Sequence, residues 1–97
     1  MRREKAIRSS GNVFVDLGFA PDEAEVLAMR ADLMAGLRLA LERKGWTQAR
    51  AAEMLGVSQS RVSDLVRGKW QKFSLDTLLL LAARAGLKPR LTLGKAA

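Results

Sequence analysis

Residues 47–69 read TQARAAEMLGVSQSRVSDLVRGK, and that order of residues constrains the fold more than any other part of the chain. The Thr47 hydroxyl can cap a helix by accepting from an otherwise unpaired backbone N–H. Ala51, Ala52 and Leu55 then share one side of residues 48–55, at i, i+1 and i+4 spacing. Gly56 stops this helix, because a left-handed position there costs glycine no steric strain. Val57 plugs the corner. Ser58 caps a second helix over residues 59–67, with Val62 and Leu65 turned inward, and Gly68 ends it.

Ala52 sits where the two helices would cross, and a larger side chain would push them apart. The outer positions of the second helix are Gln59, Ser60, Arg61, Ser63, Asp64 and Arg67, all polar or charged. A helix facing bulk water can look like this, and so can one arm of an ordinary αα-hairpin. A helix presented to base edges calls for the same short hydrogen-bonding groups near its N-terminus.

Gln48, Ala52, Gly56, Val62 and Leu65 stand where the Cro/repressor (XRE-type) helix-turn-helix family places its corresponding residues, and the chain resembles that family across the whole motif. With FVDLGF ahead and GKWQKFSLDTLLLLAARAGL behind, the longer sequence is similar to the small antitoxins of the HigA type. The resemblance implies an all-α fold: a small, lambda-repressor-like helical bundle. To it the sequence adds short terminal strands.

Ninety-seven residues make one small domain. Without cysteine there are no disulfides or thiolate metal sites, which fits a reducing cytoplasm. Histidine, the commonest metal ligand and general base, is also missing, as is tyrosine. No glycine-rich phosphate loop or nucleophile elbow occurs, so catalysis is not expected, nor is any cofactor or metal. No apolar run approaches the roughly 20 residues that span a bilayer. The basic N-terminus lacks the apolar stretch of a signal peptide.

The formal net charge of +7 is unevenly placed. Residues 13–42 hold six acids against two bases; residues 43–72 hold seven bases against two acids. The positive excess falls on the two-helix motif and the loop behind it, where a polyanion would dock.

Residues 1–12 (MRREKAIRSSGN) read as a disordered basic arm, serving either as a solubilising tail or as a contact to the DNA backbone or minor groove. Residues 13–93 form the domain, and residues 94–97 a frayed tail. Val13, Val15, Leu17 and Phe19 alternate, although Phe14 breaks the pattern, so residues 13–19 read as a strand. A lone strand needs a partner: its own domain, a second copy, or another protein. Pro21, Asp22, Glu23 and Glu25 suit a helix start, and Arg43, Lys44 and Gly45 its end. Val26, Met29, Leu33, Leu37 and Ala40 form its core stripe. Leu27, Met34 and Leu41 form a second, either a dimer seam or a wider core face. Trp46 packs at the handover to Thr47, or offers its indole N–H to a phosphate.

Ser74 caps a further helix, with Phe73 and Leu78 at hydrophobic-staple spacing. Leu75, Leu78, Leu79 and Ala82 face inward, leaving Leu80 and Leu81 as surplus apolar surface for a second subunit. Gly86 and Pro89 end this helix. Residues 90–93 read as an edge strand, pairing with residues 13–19 or with their own copy.

By resemblance, Gln59 and Ser60 match the positions that reach base edges, Gln59 bidentate to adenine, and Ser63 and Asp64 face the same groove one turn later. Asp64 either accepts from a cytosine amine or steadies Arg61 or Arg67, the second role being favoured. Gln48 and Ser58 match phosphate-holding positions at helix N-termini. Arg50, Arg61, Arg67, Lys69 and Lys72 supply non-specific attraction to phosphates. The partners implied are double-stranded DNA bearing an inverted-repeat operator, a second copy in a homodimer, and a small basic RelE-fold toxin. The expected function is a repressor that is the antitoxin of a type II toxin–antitoxin operon and controls its own promoter. The alternative is a free-standing phage- or plasmid-type regulator, and a module that no longer touches DNA is a further rival.

Overall fold

A computed structural model describes residues 12–94, and among them lie five α-helices, one 3₁₀ turn and no strand. The arm expected over residues 1–12 falls outside the described residues except for Asn12, and the tail except for Gly94. Helix α1 is Val13–Asp16, α2 Pro21–Lys44, α3 Gln48–Leu55, α4 Gln59–Val66 and α5 Leu75–Arg84. The 3₁₀ turn is Trp70–Lys72.

The strand expected over residues 13–19 is instead a single helical turn. Asn12 starts it, its side-chain oxygen accepting from the Phe14 N–H at 2.9 Å while its Nδ2 donates to the Ala24 carbonyl at 3.1 Å. Asn12 is thus a cap tying α1 to α2 rather than part of an arm. Gly18, at φ 101°, takes the chain out of the turn, and the Phe19 N–H returns to the Phe14 carbonyl at 3.0 Å. Phe14, the residue that spoiled the alternation, is the buried one, while Val13 and Leu17 lie outside at helical i, i+4 spacing.

Helix α2 begins at Pro21 and stops at Gly45, which adopts φ 67°, ψ 22°. Its second apolar stripe turns out to be the wider core face, and the expected core stripe is buried only in part. Leu27, Met34 and Leu41, with Ala24 and Leu37, face the core. Val26 and Met29 are exposed, and Leu33 and Ala40 half-buried. The stripe offered as a dimer seam is therefore consumed inside the fold. The stripes are offset by about 100°, one residue of helix, so periodicity alone could not choose between them.

Helix α5 shows a similar correction. Leu78, Leu81, Ala82 and, just beyond its end, Ala85 are buried. Leu75 and Leu79 are half-buried, and of the two leucines expected as surplus only Leu80 stays outside. Ser74 caps the helix by accepting from the Thr77 N–H, and the staple pair Phe73 and Leu78 is fully interior.

The core has two parts strung along α2. The larger joins Met34, Leu37 and Leu41 to Ala51, Ala52, Leu55, Val62, Leu65, Phe73, Leu78, Leu81 and Ala85, with Trp46 and Val57 packed against it. The smaller joins Phe14, Ala24 and Leu27, and Trp70 borders both. Residues 90–93 form no edge strand. Leu91 and Leu93 are largely exposed, and residues 13–19, folded as a helical turn and its exit, offer them no edge to pair with.

Candidate nucleic-acid interface

Local capping shapes α3 and α4 as the sequence dictates. The Thr47 hydroxyl accepts from the Arg50 N–H at 3.1 Å, and the Ser58 hydroxyl from the Arg61 N–H at 3.2 Å. Gly56 turns the corner at φ 71°, ψ 34°, its N–H and that of Val57 both returning to the Ala52 carbonyl. A Cβ at Gly56 would stand 3.2 Å from Nη1 of Arg84, which donates to the Leu55 carbonyl at 2.9 Å. Position 56 thus needs glycine for its backbone angle and for this close approach. Ala52 is buried where α3 meets α4.

With Val62 and Leu65 locked inward at 1 % exposure each, the remaining face of α4 is fixed by geometry. Gln59 and Ser60 are exposed at its first turn, and Arg67 at its end; Arg61, Ser63 and Asp64 are half-buried. The Ser58 and Ser60 hydroxyls lie 3.1 Å apart. Around this face stand Gln48, Arg50 and Lys72, all exposed, and half-buried Lys69. Arg50 pairs with Glu53 at 2.8 Å, a contact with both ends in solvent and so readily exchanged for a phosphate.

Asp64 does not steady Arg61 or Arg67. Its carboxylate lies 3.6 Å from the ammonium groups of both Lys69 and Lys72. It therefore holds the loop after α4, and partly cancels the two cations best placed for phosphates. Asp64→Asn is expected to tighten binding to random-sequence duplex by roughly two- to tenfold at low salt, as measured by fluorescence anisotropy. Loss of affinity confined to one operator base pair would instead make Asp64 a base contact.

Arg61, expected among the phosphate contacts, is drawn inward. Its Nη1 donates to the Lys72 carbonyl at 2.8 Å, and its guanidinium sits 4.2 Å from the centre of the Phe73 ring. It fastens the 3₁₀ turn against α4. Arg84 and Arg61 thus act as braces at either end of the motif, and sequence reading missed both roles. Their carbonyl partners lie 29 and 11 residues away, with no local signature.

Trp70, read only as a loop residue, belongs to an aromatic cluster. Its ring meets Phe14 edge-to-face with centroids 5.2 Å apart and Phe19 at 6.4 Å, and Arg30 lies over it at 5.9 Å. The loop carrying Lys69 and Lys72 is thereby anchored to α1 and the start of α2. Trp46 is half-buried against the larger core, with Lys44 5.0 Å above its ring. No described helix is long and apolar enough to cross a membrane.

The curated proteins searched include no match to this chain. The model of a family described as a helix-turn-helix domain matches residues 13–92, most of the chain. Two capped helices meeting at a glycine corner, with a polar first turn on the second, lie inside that span, and the chain belongs to the helix-turn-helix domain family.

Proposed function

We propose that the chain is a sequence-specific, double-stranded-DNA-binding repressor. One observation carries the reading: Gln59 and Ser60 stand exposed on the capped first turn of a helix whose other side is locked into the core, amid a local excess of bases. Such a turn enters a major groove N-terminus first. Gln59 pairs with adenine N6 and N7, and Ser60 and Ser63 serve neighbouring bases. Gln48 and Ser58 hold phosphates at the helix N-termini, while Arg50, Arg67, Lys69 and Lys72 supply charge attraction. Arg61 contributes chiefly by bracing the loop.

A single module of this size buries too little DNA to find one operator among many sites. The working unit is therefore a homodimer on an inverted repeat, its recognition helices about 34 Å apart. Exposed Leu80, Leu91 and Leu93 are the surfaces best suited to hold it together.

We further propose that the repressor is the antitoxin of a type II toxin–antitoxin operon in the cytoplasm, controlling its own promoter. Support comes from the segments flanking the motif and from the charge division between the two halves of the chain. The toxin would be a small basic RelE-fold protein. If no open reading frame for a small basic protein adjoins the gene, the regulator is free-standing.

An electrophoretic shift with the DNA directly upstream of the gene tests DNA binding. Gln59→Ala is expected to cost about 1–3 kcal/mol at one base pair and to relax specificity there. Uniform weakening over all sequences would make Gln59 a phosphate contact instead.

A further inference from the structure

The half of the chain that carries opposite charge holds a second surface. Residues 19–33 contain the acids Asp22, Glu23, Glu25 and Asp32 against one base, Arg30. Arg30 is half-buried and lies over the Trp70 ring, so the exterior here is acidic. In this region an open groove of about 310 Å³ is lined by Phe19, Glu23, Val26, Leu27 and Arg30. Val26 and the neighbouring Met29 are each 43 % exposed, at the N-terminal end of α2. On its wall, Nε of Arg30 is buried and has no hydrogen-bond acceptor among the described residues.

We propose that this groove binds a basic amphipathic helix of a second protein. Apolar side chains of that helix cover Phe19 and Val26, and its lysines or arginines face Asp22, Glu23 and Glu25. Charge selects the occupant. DNA and anionic lipid are repelled by the acids, and a second copy docking its own groove here would set acid against acid. In helix-in-groove recognition, a few apolar anchors supply most of the affinity, and the charged rim supplies the choice of partner.

This proposal deepens only the two-partner part of the functional reading, and its test contains no DNA. A failed operator shift therefore leaves it standing, and its own failure leaves DNA binding standing. The probe is a synthetic Leu/Lys amphipathic helix of about five turns, with a Leu/Glu helix of equal length as control. Each is titrated against the full chain and followed by the two tryptophan indole N–H signals in NMR spectra. The Leu/Lys helix is expected to shift the Trp70 signal, since Trp70 packs on Phe19, and to leave Trp46 in place. Val26→Ser and the double change Glu23→Lys, Glu25→Lys are each expected to weaken binding about tenfold or more.

Equal binding of both helices, or of the variants and the parent, overturns the proposal, as does no binding at all. Tighter probe binding by Ile7→Ser would make residues 1–11 of the chain the native occupant. Conversion of a dimer to monomer by Val26→Ser, seen in sedimentation, would make the occupant a second copy. Either result also overturns it.

Discussion

Raising monovalent salt from about 50 to about 200 mM is expected to weaken operator binding by about 10⁴-fold. The reason is counterion release. Each subunit offers exposed Arg50, Arg67 and Lys72 and half-buried Lys69, on α3, at the end of α4 and in the loop behind it. If about four phosphates are neutralised per subunit, a dimer neutralises about eight, and log K falls against log salt with a slope near −7. Arg61 is already tied to the Lys72 carbonyl and the Phe73 ring, so it adds little to the slope. A salt series by fluorescence anisotropy measures this directly. A flat response would remove phosphate contact from the mechanism, and with it the DNA-binding reading. A slope half as steep would mean that one subunit binds alone.

The second large effect concerns stability. Phe73→Ala is expected to cost about 3–5 kcal/mol, read as a lower midpoint in urea unfolding followed by circular dichroism. Phe73 is 1 % exposed, sits just before the cap of α5 and packs in the larger core with Leu78. Its ring also carries the Arg61 guanidinium, so its loss frees the brace between α4 and the 3₁₀ turn. Domains of this size are stable by about 5–15 kcal/mol, so this one change would remove a large share. Leu80→Ala, at a side chain 50 % exposed, serves as the control and should shift stability by no more than about 0.5 kcal/mol. Similar losses for the two would mean that Leu80 is covered in solution, by a second subunit.

The acidic rim of α2 and the basic motif give the molecule two poles, and Trp70 lies between them. Through Phe14 and Phe19 it contacts the groove end, and through the turn Trp70–Lys72 it sits beside Lys69 and Lys72. The loop that carries the phosphate-facing lysines thus rests on the same aromatic cluster that walls the groove.

From the sequence alone came the features that a few neighbouring residues control. The ends of α2, the caps Thr47, Ser58 and Ser74, and the corner at Gly56 stand where the residues predict them. A cap acts within one turn, and a left-handed glycine acts on its own backbone, so neither needs the rest of the fold. The exposed first turn of α4 follows from the same local rules, once Val62 and Leu65 are turned inward. Other features depended on which surfaces meet. The alternation at residues 13–19 suggested a strand, but Asn12 found the Ala24 carbonyl and Phe14 found Trp70, and a helical turn satisfied both. Leu27 rather than Val26, and Leu81 beside Leu78, went into the core because α1, α4 and α5 cover those sides of their neighbours. Asp64 turned to Lys69 and Lys72, and Arg61 and Arg84 reached distant carbonyls, because packing brought those groups within hydrogen-bonding or ion-pair range. Periodicity fixes how many faces a helix has; only the packed neighbours decide which of them leaves water.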